Sequence, residues 1–118
     1  MKFRGVFKVL KVESLPDYSG LKAIYMVDDS GREIYLEYPE ELTKVRISEN
    51  SSVEISLDNV KDENYKTNWD VYMWGVVYYS AENVIRISIG GLIMELKKFD
   101  IKPEVGEKVY VGLKIRGR

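Results

Sequence analysis

Apolar and polar residues alternate in short blocks along this chain, a pattern typical of β-strands rather than helices. The blocks predict strands over residues 3–12, 21–27, 33–38, 52–58, 69–79, 84–89, 92–96 and 108–115. Turn-forming residues separate them, and the only helical turn that we expect begins at Pro39. Eight short strands with little helix predict an all-β fold. We expect a closed or nearly closed antiparallel barrel, because closure removes exposed strand edges.

The segment 69–79 differs from the other strands because it is apolar on both faces. One face would carry Trp69, Val71, Met73, Gly75, Val77 and Tyr79, and the other would carry Asp70, Tyr72, Trp74, Val76 and Tyr78. A barrel wall normally buries one face and exposes a polar one to water. We therefore expect another protein to cover the second face of this strand.

Glycines interrupt the apolar pattern at three places. Gly5, Gly75 and the pair Gly90–Gly91 are interpreted as bulges or bends of the barrel wall. A second interpretation of Gly75 and Gly90–Gly91 is that the backbone of a partner approaches closely there.

Length and charge add modest constraints. The chain has 118 residues and a net charge of −1, so we expect one domain over 1–118 and no bulk attraction to nucleic acid. Residues 1–11 carry four bases and no acid, residues 28–63 carry eleven acids and four bases, and residues 97–118 carry seven bases and three acids. If the two terminal segments meet, they form a basic patch opposite an acidic flank.

Catalytic chemistry is poorly represented in this sequence. Cysteine and histidine are absent, which excludes disulfides, thiolate nucleophiles and nearly all zinc sites. Asp28–Asp29 and Glu40–Glu41 could offer oxygen ligands to a cation, but adjacent acids in turns are usually solvated. We expect no catalytic residue, no metal and no cofactor in the isolated chain. No secretion leader or membrane-length apolar run is apparent, so we expect a cytoplasmic protein.

Two kinds of binding remain open. An oligonucleotide-binding protein would use exposed aromatic residues as stacking platforms beside basic ones. A protein-docking face is enriched in Tyr, Trp and Met and poor in charge, which suits the segment 69–79 better. The residues that we expect to bind a partner are Tyr72, Trp74, Tyr78, Gly90, Gly91 and Leu92.

Two segments resemble the subunit 8 family of cellular RNA polymerases, which includes the subunit common to the three eukaryotic nuclear enzymes and its archaeal counterpart. The family has an Asp-x-x-Met-aromatic-Gly-x-x-Tyr segment, which Asp70, Met73, Trp74, Gly75 and Tyr78 match. Its Ser-Phe-Gly-Gly-Leu-Leu-Met-x-Leu segment is matched by Ser88, Gly90, Gly91, Leu92, Met94 and Leu96, with Ile89 where the eukaryotic members carry Phe. The ending 113–118 is similar to the family's Leu-Ile-Arg-Arg terminus, with a glycine inserted. Eukaryotic members carry a long acidic insertion where this chain has only residues 58–68, so the short form resembles archaeal members.

The resemblance implies an antiparallel Greek-key barrel of the oligonucleotide-binding (OB) type without an active site. It implies a structural subunit of DNA-directed RNA polymerase that docks on the largest subunit near the funnel and pore and supports transcription. The partners would be that subunit and the rest of the polymerase, with no base-specific nucleic-acid contact and no membrane. The alternative is a free-standing single-stranded nucleic-acid-binding protein on the same barrel. A third hypothesis is a homodimer in which the segment 69–79 forms the interface between the two copies.

Overall fold

A computed structural model describes residues 1–116 of the chain. These residues form eight β-strands and two single helical turns. The strands are β1 (Lys2–Ser14), β2 (Lys22–Val27), β3 (Glu33–Tyr38), β4 (Ser52–Asp58), β5 (Val71–Ala81), β6 (Val84–Ile89), β7 (Leu92–Lys97) and β8 (Lys108–Arg116). The helical turns are α1 (Glu40–Thr43) and α2 (Tyr65–Asn68). The last two residues of the segment that resembles the family's terminus, Gly117 and Arg118, lie outside the described range.

The eight strands close into one antiparallel barrel in the order β1-β2-β3-β7-β6-β5-β8-β4. Strands β1, β2 and β3 are consecutive neighbours, and β4 returns to the far side of β1. Strands β5, β6 and β7 repeat this arrangement, with β8 beside β5. Each set of four is a Greek key. The predicted all-β barrel is therefore confirmed, while its assignment to the OB type stays a prediction.

The barrel interior is filled by the apolar half of each alternating strand. Val53, Ile55 and Leu57 of β4 are fully buried, as are Val109, Val111 and Leu113 of β8, in agreement with the predicted pattern. The connection from β3 to β4 adds Ile47 to this core, and the connection from β7 to β8 adds Phe99. A two-residue period thus places one continuous core inside the barrel.

The glycine predictions were partly wrong, because the strand bulges lie elsewhere. Register shifts occur at Leu10 in β1 and at Tyr78 in β5, whereas Gly5 pairs regularly with Ile55. Gly75 lies where β6 comes very close, since a Cβ atom there would be 2.5 Å from the carbonyl oxygen of Ser88. The chain's own β6 makes this close approach.

Gly90 and Gly91 form the two-residue turn between β6 and β7 rather than a bulge. Ile89 pairs with Leu92, and the φ angles of the two glycines are 57° and 91°. Positive φ at both central residues is the requirement of a type I′ hairpin turn. Space around both Cα atoms is open, so backbone conformation is what favours glycine there.

The start of β5 also differs from the prediction. The strand begins at Val71, and Trp69 precedes it. The indole ring of Trp69 lies over Gly112 of β8, where a Cβ atom would be 2.6 Å from Trp69 Cδ2. Trp69 is buried, and its Nε1–H donates to Asp62 Oδ2 at 2.9 Å. Trp69 therefore does not belong to the face of β5 that carries Val71 and Val77, and it covers the neighbouring strand instead.

The two basic terminal segments do not meet as a continuous patch. Strand β4 lies between β1 and β8, and its outward acids interleave with the bases. Glu54 contacts Arg4 of β1 at 2.6 Å and Arg116 of β8 at 3.6 Å. The bases of both segments therefore have acids between them. Within residues 1–116, neither helical turn has the length or apolarity needed to span a bilayer.

Candidate protein-docking site

The outer face of β5 is largely apolar and open to solvent. The exposed fractions are 55% for Trp74, 37% for Val76, and 44% for each of Tyr78 and Tyr79. The opposite side of the strand carries buried Val71 and Val77. The chain therefore covers one face of β5 and leaves the other uncovered, as the pattern predicted.

The bulge at Tyr78 enlarges this exposed surface. The sequence pattern predicts that Tyr79 shares a face with Val77. Tyr79 instead pairs with Arg86, because the extra residue shifts the alternation by one position. Tyr78 and Tyr79 are consequently both exposed, and that prediction for Tyr79 was wrong.

Two cations make three cation–π contacts at the border of the exposed aromatic residues. Lys108 Nζ lies 4.3 Å from the Trp74 ring centroid and 5.1 Å from that of Tyr110, and the Arg86 guanidinium lies 4.9 Å from the Tyr79 ring. Arg86 Nε also donates to Glu95 Oε2 at 2.8 Å, and this hydrogen bond is the main cause that lowers the pKa of Glu95. Basic side chains are therefore closer to the aromatic residues than the sequence indicated.

Tyr72 is half-buried because the connection between β4 and β5 packs over it. Its ring stacks between Tyr65 and Tyr110, with centroid distances of 5.2 and 5.9 Å. Its hydroxyl accepts a hydrogen bond from the backbone N–H of Asp62 at 2.9 Å. Burial raises the pKa of Tyr72. The side chain of Tyr72 is therefore packed between two rings of the chain, whereas that of Trp74 is more than half exposed and has Lys108 against its ring.

Asp62 holds this connection in place. Its carboxylate accepts hydrogen bonds from the Asn68 amide, the Asn64 backbone N–H and the Trp69 indole. These bonds, that from Asn68 first, lower the pKa of Asp62. The connection between β4 and β5 therefore contains a second helical turn, α2, anchored by one carboxylate, whereas the sequence predicted a helical turn only at Pro39.

A groove of about 630 Å³ lies between the first half of β5, α1 and the turn from β6 to β7. Four of the six predicted partner-binding residues line it: Tyr72, Trp74, Gly90 and Leu92. Gly91 lies next to it in the turn, and Tyr78 lies further along β5. The structure thus brings most of the predicted residues together, while their binding role stays a prediction.

The groove also includes residues that the sequence did not single out. Leu42 of α1 is 82% exposed and lines the groove together with Pro39 and Thr43. A lone leucine in a short acidic helical turn carries no periodic signal. Its position became apparent only because the connection from β3 to β4 brings α1 beside β5.

Among residues 1–116, no group of three or more acids is placed to hold a metal ion. Asp28 instead organises the turn between β2 and β3. Its Oδ1 accepts from the backbone N–H groups of Ser30 and Arg32, and its Oδ2 pairs with the Arg32 guanidinium at 2.9 Å.

Comparison with protein-family models and with curated proteins finds no match to this chain.

Proposed function

We propose that this chain is a non-catalytic structural subunit of an archaeal DNA-directed RNA polymerase, docking on the largest subunit near the funnel and pore. Two arguments support the proposal. The first is the resemblance of the segments 70–78 and 88–96 to subunit 8 of that enzyme. The second is physical, because those segments form β5 and the hairpin beside it, which border the exposed apolar groove.

The observation that carries the proposal is the exposure of Trp74, Val76, Tyr78 and Tyr79 along one strand. Contiguous exposed apolar surface on a folded domain marks an interaction site. Trp and Tyr are also the residues that most often dominate the binding energy of protein interfaces. A structural subunit needs such a surface and no active site.

Affinity purification of the tagged chain from its own cells tests this function directly. We expect the large polymerase subunits to be recovered with it in a salt-resistant complex. Recovery of the chain alone, or with proteins unrelated to transcription, would contradict the proposal.

Single substitutions then test whether the outer face of β5 is the interface. Trp74→Ala and Tyr78→Ala should each weaken association with the polymerase by about tenfold or more, as expected when a central aromatic residue is truncated. Tyr18→Ala is the matched control, because Tyr18 is 62% exposed in the connection between β1 and β2. Equal recovery of all three variants would exclude this face.

A single-stranded nucleic-acid-binding role is the second candidate. The observation that favours it is the placement of Lys108 against both Trp74 and Tyr110, because nucleic-acid grooves combine cations with stacking rings. Binding to a labelled oligonucleotide should then weaken steeply with salt and be reduced by Lys108→Gln. The subunit proposal predicts little binding of the free chain at any salt concentration.

A further inference from the structure

Among residues 1–116, strand β5 has a neighbouring strand on only one side along its first half. Residues Val71–Val76 pair with β8 without a register shift. Pairing with β6 begins only at Val76, opposite Ser88, because the chain turns away into β7 after Ile89. The edge of residues 71–75 that faces away from β8 therefore borders the groove rather than another strand.

The backbone groups on this open edge belong to Tyr72 and Trp74. The Val77 N–H donates to the Glu107 carbonyl at 2.9 Å, toward the β8 side. Successive residues of an antiparallel strand send their backbone groups to opposite sides. The backbone groups of Val71, Met73 and Gly75 therefore point toward β8, while those of Tyr72 and Trp74 point toward the groove. The same alternation directs the backbone groups of Val76 toward β6, where Val76 pairs with Ser88.

These groups are not used by the rest of the described chain. Within residues 1–116, the backbone of Tyr72 and of Trp74 makes no hydrogen bond to a loop, a helical turn or a side chain. An unpaired strand edge is a template for pairing with another chain. Added strands gain affinity from main-chain hydrogen bonds and specificity from pockets for alternate side chains.

The lining of the groove is mainly apolar. Among residues 1–116, Asp70 is the only charged residue that lines it, and its Oδ2 already accepts the Ile115 N–H of β8 at 2.7 Å. Leu42 and Thr43 of α1 line the opposite wall, whereas Glu41 of the same turn lies against Gly20. A segment that binds here would place an apolar side chain against Leu42 and Leu92.

We infer that the groove accepts an extended segment of the partner polymerase subunit, which adds as a strand beside residues 71–75 of β5. The segment is apolar toward the groove, where it meets Leu42 and Leu92. This inference rests on the proposed function, and it specifies the element of the partner that the groove recognises.

Residue-resolved hydrogen exchange of the free chain and of the purified polymerase tests this inference. In the free chain, the amides of Tyr72 and Trp74 should exchange rapidly, while those of Met73 and Gly75 should be protected by β8. In the polymerase, the amides of Tyr72 and Trp74 should exchange at least about tenfold more slowly. Met73 and Gly75 serve as internal controls within the same strand.

The outcomes separate the inference from the proposed function. If the chain is recovered with polymerase and the Tyr72 and Trp74 amides still exchange rapidly, strand addition is wrong and the subunit role stands. If the chain is not recovered with polymerase, both fail. If the same amides become protected in the free chain on raising its concentration, the edge pairs with a second copy and the inference is wrong.

Side-chain variants provide an independent measurement. Leu42→Asp should weaken association with polymerase by about tenfold or more, whereas Val105→Asp, at a residue 64% exposed, should not. Unchanged association of Leu42→Asp would contradict the placement of the segment.

Discussion

The hydroxyl of Tyr35 shows how one outward residue of β3 is coupled to its neighbours. The hydroxyl donates to Glu37 Oε2 at 3.0 Å, two residues along the same strand. Burial, followed by this hydrogen bond and the charge of Glu37, raises the pKa of Tyr35 to about 12. The folded barrel therefore holds this phenol in its protonated form more strongly than the unfolded chain does.

This shift predicts an alkaline limit to stability. A group whose pKa is raised on folding stabilises the folded state below its unfolded pKa, near 10 for tyrosine. The contribution is lost as pH rises through the folded value of about 12. The free energy of unfolding, measured with urea, should therefore fall as the pH rises from the unfolded pKa of Tyr35 to its folded pKa. Tyr35→Phe should make this decrease with pH less steep. Tyr18→Phe, at an exposed tyrosine, should leave the slope unchanged. Identical slopes for the two variants would contradict the assignment.

At the level of elements, the hairpin from β6 to β7 depends on the two glycines of its turn. Both have positive φ, and no neighbouring atom would contact a Cβ at either position. The requirement is therefore conformational rather than steric. Asn adopts the left-handed conformation more readily than β-branched residues do.

Substitution at Gly90 tests this requirement. Gly90→Asn should remain close to the parent in stability, since Asn-Gly is a preferred type I′ turn. Gly90→Val should lower the free energy of unfolding by about 1–2 kcal/mol. Denaturant unfolding of both variants provides the measurement. A similar loss in both would indicate that the turn tolerates no side chain at all, for which the open space around Gly90 offers no reason.

Elements differ in how far the sequence determines them. Strands such as β4 and β6 followed the prediction because one face is strictly apolar, so that a one-residue slip would expose the whole core face. The bulges at Leu10 and Tyr78 were not predicted, because neither position carries a glycine or another residue that marks a bulge in the sequence.

The candidate site was predictable to the same partial extent. The exposure of Trp74 followed from alternation along β5. Leu42 and the cation–π contact of Lys108 did not, because α1 and β8 reach this face through long-range connections. Two-residue periodicity thus indicates which side of a strand a residue occupies, whereas its neighbours from other elements depend on the topology.

At the scale of the whole molecule, closure of the barrel depends on its shortest seam. Strands β3 and β7 pair only over Glu33–Leu36 and Met94–Lys97, whereas β1 and β4 pair over Lys2–Lys8 and Ser52–Asp58. Beyond the short ladder, the Glu37 side chain accepts the backbone N–H of Ile93 at 2.9 Å. A side chain therefore continues the seam where backbone pairing stops.

This seam should open before the rest of the barrel. In native-state hydrogen exchange, amides of the β3–β7 ladder should exchange through openings of lower free energy than those of the β1–β4 ladder. Glu37→Ala should widen the difference and destabilise the protein by about 1–3 kcal/mol, because the Ile93 N–H loses its acceptor. Tyr35→Phe, which removes only the hydroxyl that also contacts Glu37, should have a smaller effect at neutral pH. Equal protection of both ladders would mean that the barrel opens only as a unit, and the side chain of Glu37 would then have no special part in its closure.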